Sequence, residues 1–164
     1  MAVREICCLP GDLVLRQKAK RVPAIDGSIQ RLIDDMVETM QQQGGVGLAA
    51  PQIGVSLRVV VIQLPGEEPV ALVNPKIVKR SGEREVVEGC LSIPGYVGDI
   101  KRSVSVTVKG WNRWGKLVRI KATGLKAQAL EHELDHLNGV LYVDRVESRD
   151  GLHRVGIEAQ AEGM

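Results

Sequence analysis

Two helical segments separated by a long run of short, β-branched segments predict an α+β fold. Residues 26–42 place Ile29, Leu32, Ile33, Met36, Val37 and Met40 at steps of three and four, one apolar stripe along a helix. Residues 123–137 repeat the pattern with Leu125, Leu130, Leu134 and Leu137. Between them the chain is rich in Val and Ile and broken by turns. No repeat, low-complexity tract or linker interrupts it, so residues 1–147 read as one domain and 148–164 as a polar C-terminal tail, ordered in part.

Each element has a local reason. Asp26 or Ser28 can cap the first helix, and Gly44-Gly45 stops it. The stretch GGVGLAAPQIGV is predicted as a glycine-punctuated loop, followed by RVVVIQL, a run suited to a strand buried on both faces. Strands then follow in PVALVNP, KIVKRSGEREVVEG, SVSVTVKGW and KLVRIKA, with Ser81-Gly82 and Trp114-Gly115 as turns joining neighbouring strands. Thr123 opens the second helix and Asn138-Gly139 ends it. The adjacent Cys7 and Cys8 are expected in a buried first strand.

Composition narrows the function. Hydrophobic residues at 44% and charged residues at 26% fit an ordinary globular domain, whose core must come from aliphatic side chains because Phe is absent. A net charge of +2 and 2% aromatic residues give no case for direct nucleic-acid or membrane binding. No stretch reads as a signal peptide or membrane span, and three cysteines cannot all pair; cytoplasm is the expected compartment.

The chemistry concentrates in LEHELDHLNG. His132 and His136, four apart on a helix, lie on one face and can offer both imidazoles to one ion. Glu133, rotated by about 100°, lies beside that ion as a base for water. A third ligand has three candidate sources. A third histidine shortly after the pair is missing, since position 142 is Tyr; Glu158 lies at the right distance but in a weakly helical stretch; and Cys90 lies upstream, in a turn between strands. Cys90 with His132 and His136 would leave one coordination position open, as catalytic sites do. His153 reads as solvated.

Three stretches together resemble the peptide deformylase family: Gly45-Val46-Gly47-Leu48-Ala49-Ala50-Pro51-Gln52, Glu88-Gly89-Cys90-Leu91-Ser92 and His132-Glu133-Leu134-Asp135-His136. They occur in the family's order. The resemblance implies a fold with antiparallel or mixed strands around a central metal-bearing helix and a second, N-terminal helix. It implies a hydrolase that removes the N-formyl group from the initiator methionine of a new polypeptide in the bacterial cytoplasm. Cys90, His132 and His136 would then hold one divalent metal, typically Fe2+, with Ni2+, Co2+ or Zn2+ able to replace it. Glu133 would be the general base and acid, while the Gln52 amide and the Leu91 N–H stabilise the oxyanion. Gly45, Val46, Gly47 and Leu91 would contact the peptide, and Leu125 and Ala129 the methionine side chain.

Asp135 is read either as a brace for a ligand histidine or as a solvated charge, Glu88 and Arg102 as an ion pair beside the site, and Tyr96 as cleft edge or core cover. Glu131 stands where many members have Gln, outside the ligand set. N-formylmethionyl nascent peptides are the implied partners, with transient ribosome association. Direct docking on the ribosome is not expected, because the stretch after Gly139 lacks the long basic helix of some members. Two rival readings make other demands: a broader metallopeptidase needs Glu158 as a ligand, and a metal-stabilised binding module needs no role for Glu133.

Overall fold

The run RVVVIQL becomes a strand whose four residues, Val59–Ile62, are all buried, because a helix covers each face of its sheet. Successive side chains point to opposite faces. Val59 and Val61 therefore pack with Ile29, Ile33, Met36 and Met40 of α1 (Gly27–Gln42). Val60 and Ile62 pack with Ala129, Leu130, Leu134 and Leu137 of α2 (Gly124–Leu137). The structure, a computed structural model, describes residues 2–154.

One sheet has five antiparallel strands. In chain order they are β1 (Gly47–Ala49), β2 (Val59–Ile62), β3 (Val70–Ser81), β6 (Ser105–Trp111) and β7 (Leu117–Thr123), and they lie side by side in that order. A second sheet joins β4 (Arg84–Cys90), β5 (Ile93–Arg102) and β8 (Leu152–Arg154), also antiparallel. α2 runs between the two sheets, which explains why every residue from Ala127 to Leu137 is buried. Asp26 caps α1, its carboxylate accepting from the N–H groups of Ser28 and Ile29.

The structure departs from the sequence reading at five places. The predicted loop 44–55 contains β1, an edge strand too short to show alternation. Ser81-Gly82 does not join neighbouring strands: β3 and β4 belong to different sheets, and the chain crosses between them there. Gly82 has φ +71°, and a Cβ at this position would lie 2.9 Å from Val104, so both the backbone and the space require glycine. β5 was not foreseen because Pro94, Gly95 and Gly98 break its apolar alternation. Part of the polar tail adds β8 to the second sheet, while Glu158 lies outside the described residues. Cys7 and Cys8 lie in an irregular, half-buried segment rather than a strand. Its backbone ties two later loops together, Cys7 N–H donating to Gln52 O (2.7 Å) and Leu9 N–H to Ser92 O (3.0 Å).

Candidate metal centre

β4 runs alongside α2, and the two periods match. Residues two apart on a strand are about 6.6 Å apart and share a face; residues four apart on a helix are about 6 Å apart and share a face. Glu88 thus meets His132, and Cys90 meets His136. The Cys90 Sγ lies 3.3 Å from His136 Nε2, which lies 3.2 Å from His132 Nε2. Two such ligands on one tetrahedral ion, bonded at about 2.1 and 2.3 Å, stand roughly 3.3–3.6 Å apart. All three ligand atoms fall within 4.8 Å of one another and all three residues are buried. The cluster fits a divalent ion.

The electrostatics fit as well. Glu88 accepts from His132 Nδ1–H at 2.7 Å, which leaves Nε2 facing the cluster. Arg102 grips the same carboxylate with two hydrogen bonds, 3.1 and 2.6 Å long. Burial alone would raise the Glu88 pKa, but His132 and Arg102 outweigh it and hold the carboxylate down at about 2. Burial opposes charge on His132, yet Glu88, Glu133 and Cys90 raise its pKa well above the ordinary value. Negative groups thus make this buried spot favourable for positive charge. Burial and the neighbouring His132 push His136 the other way, keeping its imidazole neutral and able to donate a lone pair.

Because folding depresses the Glu88 pKa, its contribution is present above the unfolded value of 4.5 and is lost as pH falls toward 2. The shift corresponds to about 3 kcal/mol. Metal-free protein should lose up to that amount from this group between pH 5 and pH 2 in chemical denaturation. Equal stability at both pH values would contradict the buried ion pair.

Glu133 is fully buried, and neither carboxylate oxygen has a hydrogen-bond partner. Burial pushes its pKa up to about 7, against the pull of His132. An unpartnered buried carboxylate is costly, and beside a cluster of ligands it is placed to accept a proton. Glycine makes the room: a Cβ on Gly47 would lie 2.6 Å from Glu133 Oε2 and 3.0 Å from its Cγ. Gly47→Ala should displace this carboxylate and lower kcat/KM about 100-fold, the usual cost of a 1 Å misplacement, with metal content unchanged. Activity within twofold of wild type would show that the position of Glu133 is not critical.

Gln52 follows β1 in a 3-10 turn, Ala50–Ile53, and is fully buried. Its Oε1 accepts from Ala49 N–H (3.0 Å), which turns Nε2 toward Ser92 Oγ (3.3 Å) and Cys90 Sγ (3.6 Å). Leu91 lies in the turn after Cys90, and a Cβ built on Gly45 would lie 3.6 Å from its Cδ1. The candidate peptide contacts Gly45, Val46, Gly47 and Leu91 therefore gather along β1 and the Cys90 turn. Leu125 is 44% exposed on the first turn of α2, whereas Ala129 is wholly buried in the core between α2 and the sheet.

The second layer corrects the reading of Asp135, which braces neither ligand histidine and is not solvated. It accepts from Arg102 (2.8 Å) and from two nitrogens of Arg145 (2.6 and 2.7 Å). Bracing of His132 falls to Glu88 instead. Glu131 faces away from the ligands, accepting from Ser103 N–H and Oγ–H and from Arg80. Tyr96 pairs with Arg154 in the second sheet, and His153 is half exposed against Asp99. Ser92 closes the Glu88–Ser92 stretch that carries the family resemblance, but the sequence assigns it no role; its hydroxyl oxygen accepts from the Gln52 amide. Its only signal was its place two residues after Cys90.

A family model described as polypeptide deformylase matches residues 3–151. A peptide deformylase of Dehalococcoides mccartyi (strain CBDB1) is 60% identical, over 95% of this chain and 93% of the relative. Among solved structures, a peptide deformylase from Legionella pneumophila superposes with a TM-score of 0.86 at 50% identity, over 89% of this chain and 87% of that one. One from Thermotoga maritima gives a TM-score of 0.86 at 40% identity, over 90% of this chain and all of that one.

Proposed function

The chain belongs to the polypeptide deformylase family, and from that premise we propose that it hydrolyses the N-formyl group of the initiator methionine on newly made polypeptides, using Glu133 as base and acid. The carrying observation is the convergence of Cys90, His132 and His136 beside the unpartnered carboxylate of Glu133. A divalent ion bound by those three would polarise the formyl oxygen and acidify a water. Fe2+ is the ion favoured by the family resemblance, and the soft thiolate of Cys90 also suits Ni2+, Co2+ and Zn2+.

Glu133 takes the proton of the attacking water as oxygen adds to the formyl carbon. It then delivers that proton to the nitrogen as the C–N bond breaks, releasing formate and the free amino terminus. Gln52 Nε2–H and the Leu91 N–H donate to the charge that grows on the formyl oxygen. The Ala49 and Ser92 bonds hold the Gln52 amide in its orientation, so little reorganisation is needed. β1 is an edge strand, and the peptide would lie along it as an added strand contacting Gly45, Val46 and Gly47. Leu125 would meet the methionine side chain, and Ala129 would support that wall from the core side.

Among the described residues no helix is long and apolar enough to cross a membrane; the cytoplasm is the compartment we assign, with transient ribosome association. The test is formate release from a formyl-Met peptide beside hydrolysis of the same peptide unformylated. Formate from the first and no cleavage of the second is the expected result. Internal cleavage of the unformylated peptide would favour a general metallopeptidase.

A further inference from the structure

An overall charge of +2 conceals an uneven distribution. From Ile100 to Leu130 the chain has no Asp or Glu, and β3, β6 and β7 contain none. Register sets Lys76 opposite Lys109 and Lys109 opposite Arg119, while Lys79 and Lys121 flank Thr107 one pair along. Ile77, Val108 and Ile120 point into the core on the α2 side, so alternation puts Lys76, Lys109, Arg119 and Lys121 on the other face, and the register shift between Ile77 and Lys79 brings Lys79, paired with Thr107, to that face as well. Strand and residue spacings hold them within roughly 10 by 7 Å. All five are exposed, and none forms an ion pair among the described residues.

Like charges directly opposite one another destabilise a sheet, so this row costs the fold stability and no described carboxylate answers it. α1 shields the same side of the sheet around β2, Ala71, Val73 and Trp111, and its Asp34 is already bound to Arg113. At the end of the face the β6–β7 turn displays Trp114, 81% exposed. The turn is well held: Asn112 Oδ1 accepts from Trp114 N–H and Lys116 N–H, and Arg113 is tied to Gln30.

We infer that this face of β3, β6 and β7 binds the phosphodiester backbone of RNA, with Trp114 as a stacking surface at its edge. Clustered, unneutralised cations beside an exposed aromatic ring are the footprint of such binding. Thr107 lies between Lys79 and Lys121, and Ser81, Ser105 and Thr123 line up one pair beyond it, hydroxyls that bond phosphate rather than apolar groups that enter a bilayer.

Binding of a short labelled RNA hairpin, titrated from about 50 to 200 mM salt, tests the inference. Five phosphate contacts predict a slope of about −4 in log affinity against log salt. Lys109→Glu/Lys121→Glu should weaken binding at least tenfold and flatten the slope by about 2. Lys18→Glu/Arg21→Glu, exposed cations elsewhere with the same change in net charge, should leave both nearly unchanged. Thermal midpoints confirm that each variant is folded. No binding at low salt, or equal loss in both variants, would overturn the inference. Tighter binding to vesicles of anionic phospholipid or to polyaspartate than to RNA would also overturn it, reassigning the face to a membrane or an acidic protein.

Discussion

Replacing Glu133 with Gln should lower kcat/KM for formate release by about 10²–10⁴-fold while the bound metal persists. Glutamine keeps the size of the side chain, so the fit against Gly47 survives, but it cannot take a proton from water. His132, His136 and Cys90 are untouched, so metal content should stay at the wild-type level. The same substitution should stabilise the fold. Burial raises the Glu133 pKa from 4.5 to about 7, so above pH 7 the folded chain holds an unfavourable negative charge. In metal-free protein at pH 8 its removal is worth up to about 3 kcal/mol. The effect has the sign of a raised carboxyl: it shrinks as pH falls from 7 and vanishes near 4.5. A less active, more stable variant is the signature of a functional group kept at a cost in stability. Activity within tenfold of wild type would remove Glu133 from the chemistry.

The second large effect is at Cys90. Cys90→Ala takes away the only sulfur in the cluster and one of the two acceptors that Gln52 Nε2 faces. Two imidazoles on one helix then remain, and metal affinity should fall by more than about 100-fold, since even residues behind the ligands are worth 10–100-fold. Formate release should disappear at trace metal. The fold should persist, because Glu88, Arg102 and Asp135 still join β4 and β5 to α2. Metal analysis and circular dichroism distinguish these outcomes. A variant with full metal and full activity would show that the thiolate is not a ligand.

The sequence made the Cys90–His132–His136 cluster legible because its spacing follows from secondary structure. Four residues on a helix define a face, so His132 and His136 declared themselves; the three motifs in order supplied Cys90 and Gln52. The helices were equally legible, since each carries an apolar stripe with a cap or a glycine stop. β5 was hidden because Pro94, Gly95 and Gly98 dilute its pattern, and Gly98 is needed where the Tyr142 ring lies 3.0 Å from a built Cβ. Ser81-Gly82 misled because a turn signal reports a change of direction, not which sheet the next strand joins.

The brace on His132 was missed for a different reason. Asp135 lies closer in sequence, but it turns toward Arg102 and Arg145. Glu88 shares a strand face with Cys90, and that two-residue period could have found it. The basic face of β3, β6 and β7 was invisible to net charge, because it exists only once register sets three strands side by side.

The central claim is that one ion in the Cys90–His132–His136 cluster makes this chain a deformylase. Anaerobic titration of metal-free protein with Fe2+, following formate release from a formyl-Met peptide, tests it most directly. The rate should rise from near zero in proportion to added metal and level off at one ion per chain. A rate independent of metal, or no formate at any loading, would contradict the account.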